Sequence, residues 1–176
     1  MDINKFAFLY NDYEYFQWFR KNKNRTDDDL VKVLKWKRLN RMDKEKFKKI
    51  LKNMWDDKNK TINMQNAQQA NGVVTKAFLY HLHKPLQYPI LDSNVFRAMK
   101  DIDKRNIYNT NNSINKWQRD YEQGYRMFFE ELYRKNKKAI EAMKVPRLDG
   151  VEPEIVKRRI LDRALWEFGR TIEKAR

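Results

Sequence analysis

Apolar residues recur along this chain mostly at steps of three and four, and glycine and proline number only four each. That pattern predicts an all-α protein, a compact bundle of about eight helices. The first predicted helix covers residues 4–21, rich in aromatics (Phe6, Tyr10, Tyr13, Phe16, Trp18), and runs into the basic stretch Arg20-Lys21-Asn22-Lys23-Asn24-Arg25. Cations suit a helix C-terminus, where the peptide dipoles leave partial negative charge. Thr26 or Asp27 is expected to cap a second helix through about Leu39, with Asp28 and Asp29 in its first turn. A third follows an Asp43 cap and sets Phe47, Ile50, Leu51 and Met54 on one stripe, with Lys44, Lys46, Lys48, Lys49 and Lys52 on the other faces. Thr61 is expected to cap a short, Gln/Asn-rich fourth helix over 63–71.

Beyond Gly72 the pattern predicts a helix over 76–83, a loop from Pro85 to Pro89, and a helix opening at Asp92 or Ser93 and ending near Asp101. An Asn-rich loop, 106–113, leads to a long helix starting near Ser113. Trp117, Tyr121, Tyr125, Phe128 and Leu132 form one stripe of it, and a basic knot, Arg134-Lys135-Asn136-Lys137-Lys138, follows. Such a stripe reads first as core. Val145-Pro146 and Asp149-Gly150 mark a turn, and Pro153 suits the first position of a last helix whose predicted inward stripe is Leu161, Leu165, Phe168 and Ile172.

Composition adds a partner. The 176 residues fit a single domain, 1–176, and 41% hydrophobic content with 10 Phe, 9 Tyr and 5 Trp can build its core. The net charge of +15 points to an anionic partner, nucleic acid first, although a Lys- and Asn-rich chain can also reflect an AT-rich genome. Cysteine is absent, which excludes disulfides, thiolate metal sites and thiol catalysis. His81 and His83, the only histidines, stand two apart and face opposite sides of a helix, so no metal or cofactor is expected. Acids at Asp2, Asp12 and Glu14 and the lack of a membrane-length apolar run predict a soluble, unexported chain: cytoplasmic and nucleoid-associated, or nuclear in a eukaryotic or viral setting.

The stretch that concentrates candidate chemistry is 63–102. A glycine between two helices ends the first at low cost in the left-handed conformation. The next helix then presents free N–H groups and its positive dipole end, which suit a DNA phosphate; an ordinary helix C-cap is the other reading of Gly72.

Gly72-Val73-Val74-Thr75-Lys76-Ala77 resembles the Gly-Val-Gly-x-Lys hairpin of the helix-hairpin-helix DNA glycosylases, the superfamily that includes endonuclease III and the 8-oxoguanine DNA glycosylases. Lys76 and Asp92, sixteen residues apart, resemble its catalytic lysine and aspartate. Trp36-Lys37, Pro89-Ile90-Leu91-Asp92-Ser93 and Leu161-Asp162-Arg163-Ala164-Leu165-Trp166-Glu167-Phe168-Gly169 are similar to segments of an 8-oxoguanine-glycosylase-like branch. Ala70-Asn71 stands where the family has Leu-Pro, and Val74 where it has the second glycine.

The resemblance implies a monomeric DNA glycosylase that excises a modified base, 8-oxoguanine-like, from duplex DNA by hydrolysis or through a lysine Schiff base with an AP-lyase step. Asp92 would stabilise the positive charge that builds on the sugar as the glycosidic bond breaks, and it also stands where a helix N-cap belongs. Lys76 would attack C1′, where otherwise it reads as a solvated helix start. DNA contacts are implied at Gly72, Val73, Thr75, Lys37, Arg38 and Arg97. A flipped base needs aromatic walls, for which Tyr88, Trp117, Phe129, Trp166 and also Phe168 are available, while Gln65, Gln68 and Gln69 could contact base edges. Val74 and Ala70-Asn71 keep open a non-catalytic basic DNA-binding protein of the same fold. An RNA-binding or protein-interaction module is a third reading.

Overall fold

The computed structural model describes residues 12–37, 44–70, 72–103, 117–143, 145 and 147–174. They form an all-α structure with eight α-helices and two strands of two residues each. The chain divides into two compact units, Met1–Ala70 with Lys144–Pro153, and Asn71–Met143 with Glu154–Arg176. The predicted helix start at residue 4, Leu39, the Asp43 cap, the 106–113 loop, the Ser113 helix start and Arg38 lie outside the described residues, as do the side chains of Ile50 and Leu51. No described helix is long and apolar enough to cross a membrane.

In the first unit, α1 (Tyr13–Lys21) packs on α2 (Asp27–Trp36). Tyr15, Phe16, Trp18 and Phe19 of α1 and Leu30, Val33 and Leu34 of α2 are buried. Thr26 is the α2 N-cap: its side chain accepts from the Asp29 amide while the Asp29 carboxylate accepts from the Thr26 amide, a reciprocal box that satisfies two otherwise unpaired donors. Lys21 closes on the same carboxylate at 2.6 Å. Arg25 lies 4.7 Å above the Trp18 ring, and its Nε donates to the Trp18 carbonyl at 2.7 Å. Burial pulls its guanidinium pKa down to about 10, against the raising field of Asp29.

After α3 (Lys44–Met54) the structure departs from the helical pattern. Trp55–Asp56 (β1) and Thr61–Ile62 (β2) pair antiparallel, so Thr61 is a strand residue and caps no helix. The reason is local turn chemistry: the Asp56 carboxylate accepts from the Asn59 amide and side chain, and Lys60 takes a left-handed φ of 50°. The cap of the short α4 (Met64–Gln68) is Asn63, whose side chain accepts from the Asn66 amide.

The second unit holds α5 (Val73–His83), α6 (Ser93–Ile102), a π-helical segment (Trp117–Arg126) continuing into α7 (Met127–Ala142), and most of α8 (Pro153–Lys174). Pro153 is the first residue of α8, where its missing N–H costs nothing. The aromatic stripe is core, as expected: Tyr121 and Tyr125 are 0% exposed and Phe128 4%. The inward stripe of α8 differs. Leu165 is buried and Leu161 and Ile172 half-buried, but Phe168 is 41% exposed. The seam instead follows Arg158, Asp162, Leu165 and Gly169, because a Cβ at Gly169 would overlap the Asn94 carbonyl. A close helix crossing, rather than the most apolar face, sets the rotation of α8.

Candidate active site

Val73 opens α5, and Gly72 is its N-cap at φ 88°, ψ 129°, a conformation suited to glycine. Gly72 therefore ends no helix: α4 stops at Gln68, and the helices on either side of Gly72 belong to different units. The expected hairpin is not an element of either unit. A Cβ at Gly72 would meet no described atom within 4 Å, so the first turn of α5 is open at that point. Thr75 is buried and Val73 packs against the core of the unit, which leaves backbone N–H groups as the polar offering of this turn.

This start puts Lys76 one turn inside α5, its amide donating to the Gly72 carbonyl at 3.1 Å, rather than at the helix start. Its side chain is half-buried, with Nζ 4.6 Å from the Trp117 ring centroid and 5.9 Å from that of Tyr80. Aromatic faces carry negative potential and attract an ammonium. The indole is itself held in place: Nε1 donates to Glu122 at 3.2 Å, and one face stacks on Tyr121 at 4.5 Å and 28°. Tyr80 meets Tyr88 edge-on at 4.9 Å, and Arg126 covers the Tyr88 ring at 4.7 Å while donating to the Gln87 carbonyl. His81 donates from Nδ1 to the Tyr88 carbonyl, so this histidine orders the loop.

Asp92 caps α6. Its Oδ1 accepts from the Asn94 and Val95 amides at 2.9 and 3.1 Å. Just before it, Pro89, Ile90 and Leu91 are buried, and the Tyr121 hydroxyl donates to the Pro89 carbonyl at 2.7 Å. Tyr125 lies within the electrostatic reach of Asp92 and of the buried Asp162, which pairs with Arg159. Burial first, then these two carboxylates, push the Tyr125 phenol well above its ordinary pKa.

Among the aromatic candidates, Tyr88 and Trp117 join the cluster around Lys76. Phe129 does not serve as a pocket wall: it is 1% exposed, stacked with Tyr133 and covered by Arg158. Trp166 lies on α8 with Arg163 and Arg170 at 4.4 and 5.5 Å from its ring. Arg97 is spent inside the unit: Nη1 donates to Asn94 Oδ1 and the Gly169 carbonyl, and Nη2 pairs with Glu173 at 3.1 Å, stitching α6 to α8. Lys37 follows α2 in the other unit, where Gln65, Gln68 and Gln69 are exposed. Tyr80, Glu122 and Arg126 escaped the sequence reading. Tyr80, four residues after Lys76 on one helix face, carries a usable signal, as does Glu122, five residues after its partner Trp117 in one helical segment; Arg126 matters through Gln87 and Tyr88, distant in sequence.

A shallow depression lined by Ile102, Asp103, Phe128, Glu131, Leu132 and Lys135 includes none of these residues. No protein-family model, no curated protein and no solved structure matches the chain.

Proposed function

We propose that this chain is a DNA glycosylase that removes a modified base, with Lys76 as nucleophile and Asp92 as electrostatic partner. The observation that carries the reading is the seating of the Lys76 side chain against Trp117 and Tyr80, where a merely solvating lysine would extend into water. The ammonium held over Trp117 passes a proton to the departing base, and the amine so freed attacks C1′. The N–C1′ bond forms as the glycosidic bond breaks, the bonding pair leaves with the base, and the base takes up that proton. The attached amine then loses its remaining extra proton and expels O4′, which takes up a proton as the sugar ring opens, and the C1′=N Schiff base so formed permits strand cleavage. The Asp92 carboxylate, fixed by two α6 amides, opposes the positive charge that develops on the sugar. The +15 charge supports duplex DNA as the partner, and the open first turn of α5 offers amides to a phosphate.

The test uses duplexes carrying 8-oxoguanine and other modified bases. Base release is expected, with a borohydride-trapped adduct that Lys76→Ala abolishes and with release slowed roughly a hundredfold by Asp92→Asn. Unchanged release in Asp92→Asn removes that residue from the mechanism. A second reading, a DNA-binding protein without the chemistry, is favoured by the use of Asp92 as an N-cap. It requires salt-sensitive DNA binding, no product on any duplex, and indifference to Asp92→Asn.

A further inference from the structure

The residues on which the proposed chemistry rests stand on two different elements, α5 for Lys76 and the start of α6 for Asp92. One side chain touches the supports of both. Tyr121 is 0% exposed in the core of the unit. Its ring stacks on the Trp117 indole at 4.5 Å, and that indole lies under the Lys76 ammonium. Its hydroxyl donates at 2.7 Å to the Pro89 carbonyl, three residues before Asp92. The spacer between, Ile90 and Leu91, is 2% and 3% exposed, so a displacement at Pro89 has little slack to absorb it before Asp92.

We infer that Tyr121 is a positioning residue that sets Lys76 and Asp92 relative to each other, through the Trp117 face on one side and the Pro89 carbonyl on the other. It touches neither substrate nor reacting atoms. Burial pushes the phenol well above its ordinary pKa, so the hydroxyl remains a donor to Pro89 across the working pH range. The inference rests on the glycosylase reading for its meaning and on the geometry alone for its existence, and the two are tested separately.

Tyr121→Phe keeps the stacking ring and deletes only the tie to Pro89. Hydrogen exchange of the Asn94 and Val95 amides, which Asp92 holds, is expected to speed roughly fivefold or more, while amides of α7 and α8 change little. In protein whose lysines carry 13C-dimethyl labels, the Lys76 signal, identified by its loss in Lys76→Arg, is moved upfield by the indole; Tyr121→Phe retains that shift and Tyr121→Leu loses it. Single-turnover base release by Tyr121→Phe is expected to fall roughly tenfold or more at unchanged DNA affinity. Uniform acceleration of exchange throughout the unit would reveal a purely structural residue and overturn the inference. So would unchanged exchange at Asn94 and Val95, or unchanged release in an active preparation. If the unsubstituted protein releases no base from any duplex, the glycosylase reading fails, and the exchange and labelling results alone decide the role of Tyr121.

Discussion

Gly169 and Asn94 touch backbone to backbone, and Arg97 bonds both residues. Gly169→Ala is expected to cost roughly 1–3 kcal/mol in urea unfolding, the typical penalty for overpacking a tight contact that has no flexible side chain to yield. At the other end of the chain, Thr26→Ala removes the side-chain half of the α2 capping box and should cost about 1 kcal/mol in the same measurement. Asp29, within that box, titrates below an ordinary aspartate: burial raises its pKa, but the bonds from Lys21 and Thr26 outweigh it. A folded pKa below the unfolded one means that the unfolded chain binds more protons in acid. This stabilisation is present in full above the unfolded value of about 3.9 and is lost as pH falls through the folded one. Urea midpoints measured between about pH 3 and pH 6 should therefore fall less steeply toward acid in Asp29→Asn than in the unsubstituted protein.

At the scale of elements, helical periodicity carried most of the information. The Thr26 cap, Pro153 at the head of α8 and the Asp92 cap are all local chemistry written within three or four residues, and the structure has all three. The hairpin at Trp55–Asp56 and Thr61–Ile62 breaks the helical pattern, although its signal is also local, in the turn-forming Asp56 and Asn59. Gly72 begins α5 instead of ending α4, which moves Lys76 from the expected helix start to a position facing aromatic rings. Gly72→Ala must place a side chain at φ 88° and is expected to cost roughly 1–3 kcal/mol by backbone strain alone, since the surrounding space is open. Faster exchange confined to the Lys76 amide, which donates to the Gly72 carbonyl, is the readout that separates strain there from a general loss of stability.

For the molecule as a whole, the +15 charge is the property that any anionic partner meets first. Duplex affinity, followed by fluorescence anisotropy, is expected to fall about tenfold or more between 50 and 200 mM salt, as counterions compete for the phosphates. Flat affinity across that range would remove DNA as the partner.

The sequence by itself determined the helical class, the caps at Thr26 and Asp92 and the charge, because each of these is set by neighbours along the chain or by composition, whereas the pairing of Lys76 with Asp92 in the proposed chemistry rests on a resemblance. Only the tertiary structure decided that Phe129 is core, that Arg97 is a brace, that Phe168 faces outward, and that Tyr121 spans the supports of Lys76 and Asp92. These depend on which faces meet when helices distant in sequence pack. A stripe of apolar residues specifies that a face is buried, but the partner, the rotation and the close crossing at Gly169 are settled only by the shapes that must fit together.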